Sequence, residues 1–188
     1  MNQIKRITLT GPRSVGKTTV SKLLAKKLKL KYISSDELGE KMTRKHGGLD
    51  KAIKSGTIKE IIKKKGYTLI LNEYKKKSFV FDLSIGAFTS REFKKAGREL
   101  RSVAKKKSFV IGLLPFKPSK KSVELLYKRE IKRKHFRNSD KNELLKRTKK
   151  RFSEQKDILL KNSNLIIYTE DKTPKKIVKE ILSKVNLK

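Results

Sequence analysis

Cysteine and tryptophan are absent from this 188-residue chain, histidine occurs twice and proline four times. Without a thiol there is no disulfide, no thiolate zinc site and no cysteine nucleophile, and two isolated histidines make no imidazole metal cluster. Any metal must rest on oxygen ligands. Acidic residues are also scarce: 18 Asp+Glu stand against 52 Lys+Arg, a formal charge of +34. No stretch approaches the roughly 18 to 20 apolar residues that a membrane span needs. The opening segment MNQIKRITLTG enters an alternating apolar pattern and lacks the long apolar region of a secretion signal. On these absences the protein is expected to be soluble and cytoplasmic with no membrane association, and the oligomeric state is left open.

What is present is enough for a core. The length suits one domain of roughly 100 to 200 residues, and apolar runs at Ile7–Leu9, Phe79–Leu83, Phe109–Leu114 and Leu165–Tyr168 argue for folding despite 37% charged residues. The charge implies non-specific polyanion binding at low salt. Lysine runs at 63–65, 75–77 and 105–107 fall at element ends, and the few aromatics are not interleaved with them as a stacking platform requires. They read as solvated faces rather than a dedicated nucleic-acid groove.

No repeat or linker divides the chain, so residues 1–188 are expected to form a single domain with insertions. Strands are expected at Lys5–Thr10, Lys31–Ser34, Ser78–Ser84, Ser108–Leu114 and Asn164–Thr169, whose continuous apolar character suits strands covered on both faces. Helical periodicity marks Lys17–Leu28, Ser122–Arg133 and Pro174–Val185, the last opening with Thr173 as cap and Pro174 in the first turn. Alternating strands and helices imply right-handed crossovers: an α/β fold of three layers, α/β/α, around a five-stranded parallel sheet. Residues 40–77 read as a helical insert with a helix near Ile58–Lys65, while Tyr67–Leu71 suits strand or helix. Residues 134–150 are polar, the composition of a mobile arm, and the region around 130–150 is expected to form a lid.

Directly after the first strand stands Gly11-Pro12-Arg13-Ser14-Val15-Gly16-Lys17-Thr18-Thr19, a full match to GxxxxGK[ST] between strand and helix. Its glycines let the backbone curl until successive N–H groups and a helix N-terminus face phosphate oxygens, which makes a nucleotide cradle. Lys17 would reach the β- and γ-phosphates, and Thr18 would offer its hydroxyl to Mg²⁺. The third strand ends in Asp82, placed to hold Mg²⁺ directly or through water, or else to cap a turn before Ser84 and Gly86. Asp36 follows the second strand, nineteen positions after Lys17, and arrives at the same sheet edge. There it can bond an acceptor hydroxyl and take its proton, or serve as a helix cap before Glu37. Arg129, Arg133, Arg137, Arg147 and Arg151 cluster around the expected lid, where guanidinium forks bind phosphate oxygens in pairs.

These motifs, in order, resemble the shikimate kinase family and its relatives among the nucleoside-monophosphate-kinase branch of P-loop folds. GPRSVGKTT and YISSDELGEKMTRKHG are similar to that family's phosphate loop and its second strand with acidic motif. Thr57–Gly66 is similar to the helix before its substrate arginine, and Val80-Phe81-Asp82-Leu83-Ser84-Ile85-Gly86 to its apolar strand and triple-glycine turn. Arg151–Gln155 followed by Asn164–Thr169 resembles its Arg-x-Pro-x-Tyr segment and fifth strand. The resemblance implies an ATP- and Mg²⁺-dependent kinase for a small, anionic hydroxyl acceptor. It assigns Asp36 and Gly86 to the acceptor, Arg151 to the acceptor's anionic group, Arg129 and Arg137 to the nucleotide phosphates, and Arg137 with Lys17 to the transferring group. The departures are equally definite. Ser34 stands for the first acid of an Asp-x-Asp pair, Ser84 and Ile85 replace two of three glycines, and the helix that would carry a carboxylate-binding arginine offers Tyr67–Leu71. Asp82 would take over the metal role left by Ser34. Two other readings stand beside this one: a nucleoside, nucleotide or polynucleotide kinase, and a nucleotide-binding protein without transferase activity.

Overall fold

A computed structural model describes residues 5–90, 92–132 and 140–185, apart from the side chains at 53, 54 and 64. Five parallel strands, β1 (Arg6–Thr10), β2 (Tyr32–Ser34), β3 (Phe79–Asp82), β4 (Phe109–Leu114) and β5 (Leu165–Tyr168), form one sheet in the order β2-β3-β1-β4-β5. Each falls where the apolar runs place it. β1 is central, with Ile7 opposite Val80 on one side and Phe109 on the other. All four residues of β3 are buried, which requires cover on both faces of the sheet.

Helix α1 (Lys17–Leu28) returns the chain across β3 and packs against the last helix, α10 (Pro174–Lys184), whose Thr173 cap accepts from the Lys176 amide as its sequence foretells. α2 (Ser35–Thr43) follows β2 without a linker, capped by the Ser34 hydroxyl, which accepts from the Glu37 amide at 3.3 Å. Asp36 is therefore not the cap. The insert then runs through a 3₁₀ turn (Arg44–His46), α3 (Leu49–Lys54), α4 (Ile58–Ile61), a π segment (Ile62–Gly66) and α5 (Tyr67–Glu73). Tyr67–Leu71 is thus helical; Ile70 packs inward and Tyr67 Oη donates to the Ala87 carbonyl at 3.0 Å.

After β3 come α6 (Ile85–Thr89) and α7 (Lys94–Lys107), the latter absent from the sequence expectation because it buries only Gly97, Leu100 and Ala104 among lysines and arginines. α8 (Ser119–Glu130) starts one turn before the expected Ser122, directly behind Pro118. Ser122 faces inward, where its hydroxyl both accepts from the Phe116 amide (3.0 Å) and donates to the Phe116 carbonyl (2.9 Å). Residues 141–150 are regular helix rather than irregular arm. They are the first half of α9 (Lys141–Asn162), capped by Asp140, whose carboxylate accepts from the Glu143 amide at 2.7 Å. Leu144, Thr148, Phe152 and Leu159 form its buried stripe.

The sheet and the loop above it meet at Gly11, where a Cβ would lie 2.4 Å from the Leu113 carbonyl oxygen on β4. Since backbone cannot yield as a flexible side chain does, Gly11→Ala is expected to cost about 2–3 kcal/mol of stability. Urea unfolding of the two proteins side by side checks this.

Candidate active site

The strand-to-helix turn is built as its sequence requires. Ser14 (φ 64) and Gly16 (φ 101) take left-handed backbone conformations, bending residues 11–16 into a loop. Gly16 occupies the cap of α1 without a capping side chain, so the first amides of α1 are left for a ligand. Val15, 2% exposed, anchors the loop in the core. Lys17 Nζ folds over it, donating to the carbonyls of Gly11 (2.9 Å) and Pro12 (3.2 Å). α8 braces the outside: Arg129 donates to the Ser14 carbonyl at 3.1 Å, and Arg13 Nε lies 3.7 Å from the buried carboxylate of Glu130.

Thr18 and Asp82 come together as a pair. Thr18 Oγ1 donates to Asp82 Oδ2 at 2.7 Å, and Tyr32 Oη donates to the same oxygen at 3.3 Å. Asp82 is 5% exposed, and burial pushes its carboxyl above the usual aspartate value, while the Thr18 bond and Lys17 pull it back. Burial and the Asp82 charge together push the Tyr32 phenol up to about 12, so it stays a donor at neutral pH. The parallel register sets Ser34 directly beside Asp82. The carboxylate that the family resemblance places on β2 thus stands one strand over, at the same height. A hard divalent cation such as Mg²⁺ suits this donor set, which is all oxygen. Among the described residues no three His, Cys, Asp or Glu gather as a metal site, so an ion held by Thr18 and Asp82 would need phosphate oxygens and water as further ligands.

Tyr32 carries a prediction of its own. Tyr32→Phe removes one of two donors that fix the Asp82 carboxylate, and should raise the Mg²⁺ concentration for half-maximal activity about threefold to tenfold. The acceptor KM should be unchanged, as a Mg²⁺ titration against fixed acceptor would read out.

A cavity of about 750 Å³ opens at the carboxyl ends of the strands. Loop residues Pro12, Arg13, Ser14, Gly16, Lys17, Thr18 and Thr19 line it together with Asp82 and Glu130. The lining also includes Asp36 from α2, Asp50 from α3, Ser84, Ile85 and Gly86 at the start of α6, and Arg151 with Phe152 from α9. Lys17, Thr18, Asp36, Asp82, Gly86 and Arg151, chosen from the sequence, are therefore neighbours around one space. Arg129 touches the loop from outside that lining, and Arg137 lies outside the described residues. The Ser84 amide, in the turn where the family has glycines, donates to Ser35 Oγ at 2.7 Å. It is therefore already engaged.

Sequence reasoning passed over Tyr32, Asp50 and Glu130. Tyr32 had a signal, because residues two apart on a strand share a face and Ser34 was already suspect. Asp50 had none, since it enters through the turn at Gly47 and Gly48, both with positive φ.

The fold and site have counterparts among known proteins. The structure matches the shikimate kinase of Acinetobacter baumannii, solved in complex with shikimate, at TM-score 0.66 and 24% identity, over 97% of this chain and 93% of that one. It matches the shikimate kinase of Aquifex aeolicus at TM-score 0.69 and 22% identity, over 96% of each chain. For the shikimate kinase of Bacteroides thetaiotaomicron the values are 0.76 and 16%, over 98% and 99%. No curated protein sequence matches the chain. At these identities the structures speak for the fold, and it is the shikimate kinase family model, matched by residues 13–186, that speaks for kinship. A loop, a hydroxyl–carboxylate pair and an acceptor-sized space in one α/β domain agree with it: this chain belongs to the shikimate kinase family and is a small-molecule kinase, a phosphotransferase acting on a hydroxyl group.

Proposed function

We propose that the protein transfers the γ-phosphoryl group of ATP, in the presence of Mg²⁺, to a hydroxyl of a small anionic metabolite, with shikimate as the first candidate. The observation that carries this reading is that Lys17, the Thr18–Asp82 pair, Asp36 and Arg151 line a single cavity. The loop amides and Lys17 hold the phosphates, and Arg151 receives the acceptor's anionic group. Thr18 and Asp82 would hold Mg²⁺, which when bound neutralises charge on the phosphate oxygens. Asp36 bonds the acceptor hydroxyl and takes its proton as the new P–O bond forms. The bond from the γ-phosphorus to the bridging oxygen breaks, and ADP leaves with that oxygen. Lys17 balances the charge developing there.

The catalytic power on this reading is mainly alignment and electrostatics, supplied by groups fixed before the substrates arrive. Incubation with Mg·ATP and a metabolite mixture containing shikimate, followed by mass spectrometry, tests it. A species gaining one phosphate is the expected result. Phosphate gained by another hydroxy acid and not by shikimate keeps the chemistry and changes the acceptor; no gain by any component rejects the proposal.

A further inference from the structure

The phosphate loop contains a turn that its own residues do not favour. The Val15 amide donates to the Pro12 carbonyl at 3.4 Å, closing four residues around the central pair Arg13 and Ser14. Ser14 has φ 64, a left-handed conformation that a side chain opposes and that glycine ordinarily supplies at the third position of a turn. Support for the curl must then come from elsewhere. Lys17 gives part of it through the Gly11 and Pro12 carbonyls.

The last turn of α8 supports the same two central residues. Arg129, exposed, donates to the Ser14 carbonyl at 3.1 Å. Its neighbour Glu130 is 5% exposed, and its carboxylate lies 3.7 Å from Arg13 Nε. That spacing makes an ion pair and is too long for a hydrogen bond; Glu130 Oε1 accepts none among the described residues. Glu130 lines the cavity that the phosphates must enter, yet a carboxylate can neither donate to a phosphate oxygen nor attract one. The loop group it can serve is the Arg13 guanidinium.

α8 is itself anchored well enough to act as a support. Ser122 ties its first turn to Phe116, and Lys156 of α9 donates to Ser119 Oγ at 2.9 Å and to the Lys117 carbonyl at 3.2 Å. Val123 and Leu126 are buried where α8 packs along α9.

We propose that Arg129 and Glu130 are positioning residues for the nucleotide: they hold Ser14 and Arg13 in the phosphate-binding curl and act on bound phosphates through the loop, not by touching them. This rests on the loop being the nucleotide site and not on transfer to any acceptor. Arg129 is absent from the cavity lining, as befits a residue that works through the Ser14 carbonyl. For Glu130 the proposal reverses what charge alone dictates. If the carboxylate only repels phosphate, removing it strengthens nucleotide binding; if it keeps Arg13 in place, removing it weakens binding.

The test is calorimetric titration of the full chain with Mg·ADP. Glu130→Gln, which keeps the size of the side chain, should bind about threefold to tenfold more weakly than the parent. Arg129→Met keeps the length and removes the donor, and should lose on the order of tenfold. Ser14→Gly then separates support of the loop from contact with the nucleotide, because glycine holds a positive φ unaided. Added to Ser14→Gly, Arg129→Met should lose no more than about twofold. Since Arg129 is exposed, that pair decides the matter even where a change at buried Glu130 unfolds the chain. Glu130→Gln binding as tightly as the parent or more so, an Arg129→Met loss undiminished by Ser14→Gly, or a parent that binds no Mg·ADP would each overturn the proposal. The expected pattern in a protein that phosphorylates no acceptor would leave this inference standing and remove the kinase reading.

Discussion

Lys17→Met is expected to lower phosphoryl transfer by about a thousandfold while leaving the fold in place. The ammonium donates to the loop's own carbonyls at Gly11 and Pro12, and so sits over the hollow where the phosphates must lie. Methionine keeps the length of the side chain and removes the charge. Among what the folded state loses are the two part-buried hydrogen bonds to Gly11 and Pro12, each worth about 1 kcal/mol net. Turnover and thermal unfolding measured on the same preparation separate the two effects. Turnover within a few-fold of the parent would dismiss the loop as a phosphoryl-transfer site.

Asp82→Asn is expected to move activity and stability in opposite directions. Asparagine still accepts from Thr18 and Tyr32 but presents no negative charge, so transfer should fall about a hundredfold and the Mg²⁺ requirement rise steeply. The metal-free protein should be at least as stable as the parent at pH 7. Burial raises the Asp82 carboxyl in the folded state, so the fold binds this proton more tightly than the unfolded chain does. The contribution of this group is then fully present below the unfolded value of 3.8 and is lost as pH rises through the folded value. At neutral pH the ionised carboxylate is a cost that the variant avoids. Thermal melts in chelator, beside melts in Mg²⁺ with nucleotide, check both halves: the parent should gain more from the ligands than the variant does.

The phosphate loop and all five strands were legible because each depends on a short run of neighbouring residues. GPRSVGKTT fixes a turn by its own glycines, and FVFD or FVIGLL admits little but a buried strand. α7 and the first half of α9 were not legible. Their buried faces consist of isolated residues, Gly97, Leu100 and Ala104 in one and Leu144 and Thr148 in the other, spaced among lysines that mask the period. The setting of Asp82 was half legible: the residue announces itself at the end of its strand, but its hydrogen bond from Tyr32 depends on how β2 registers against β3. Asp50 depends on a turn and on packing between α2 and α3, neither of which local sequence encodes. Candidates at strand ends could thus be named from sequence, and Asp50, delivered by the insert, could not.

β1 lies at the middle of the sheet although it is the first strand in the chain, and its second neighbour, β4, begins only at Phe109. During synthesis, β1 and β3 can pair as soon as residue 82 has emerged, yet one flank of that pair stays open until the next thirty or so residues follow. Through that interval the ribosome carries an unfinished sheet with an adhesive edge rich in Ile, Leu and Thr. The lysine runs at 75–77 and 105–107, which bracket that stretch of chain, would oppose association of neighbouring nascent chains by like charge until the edge is closed.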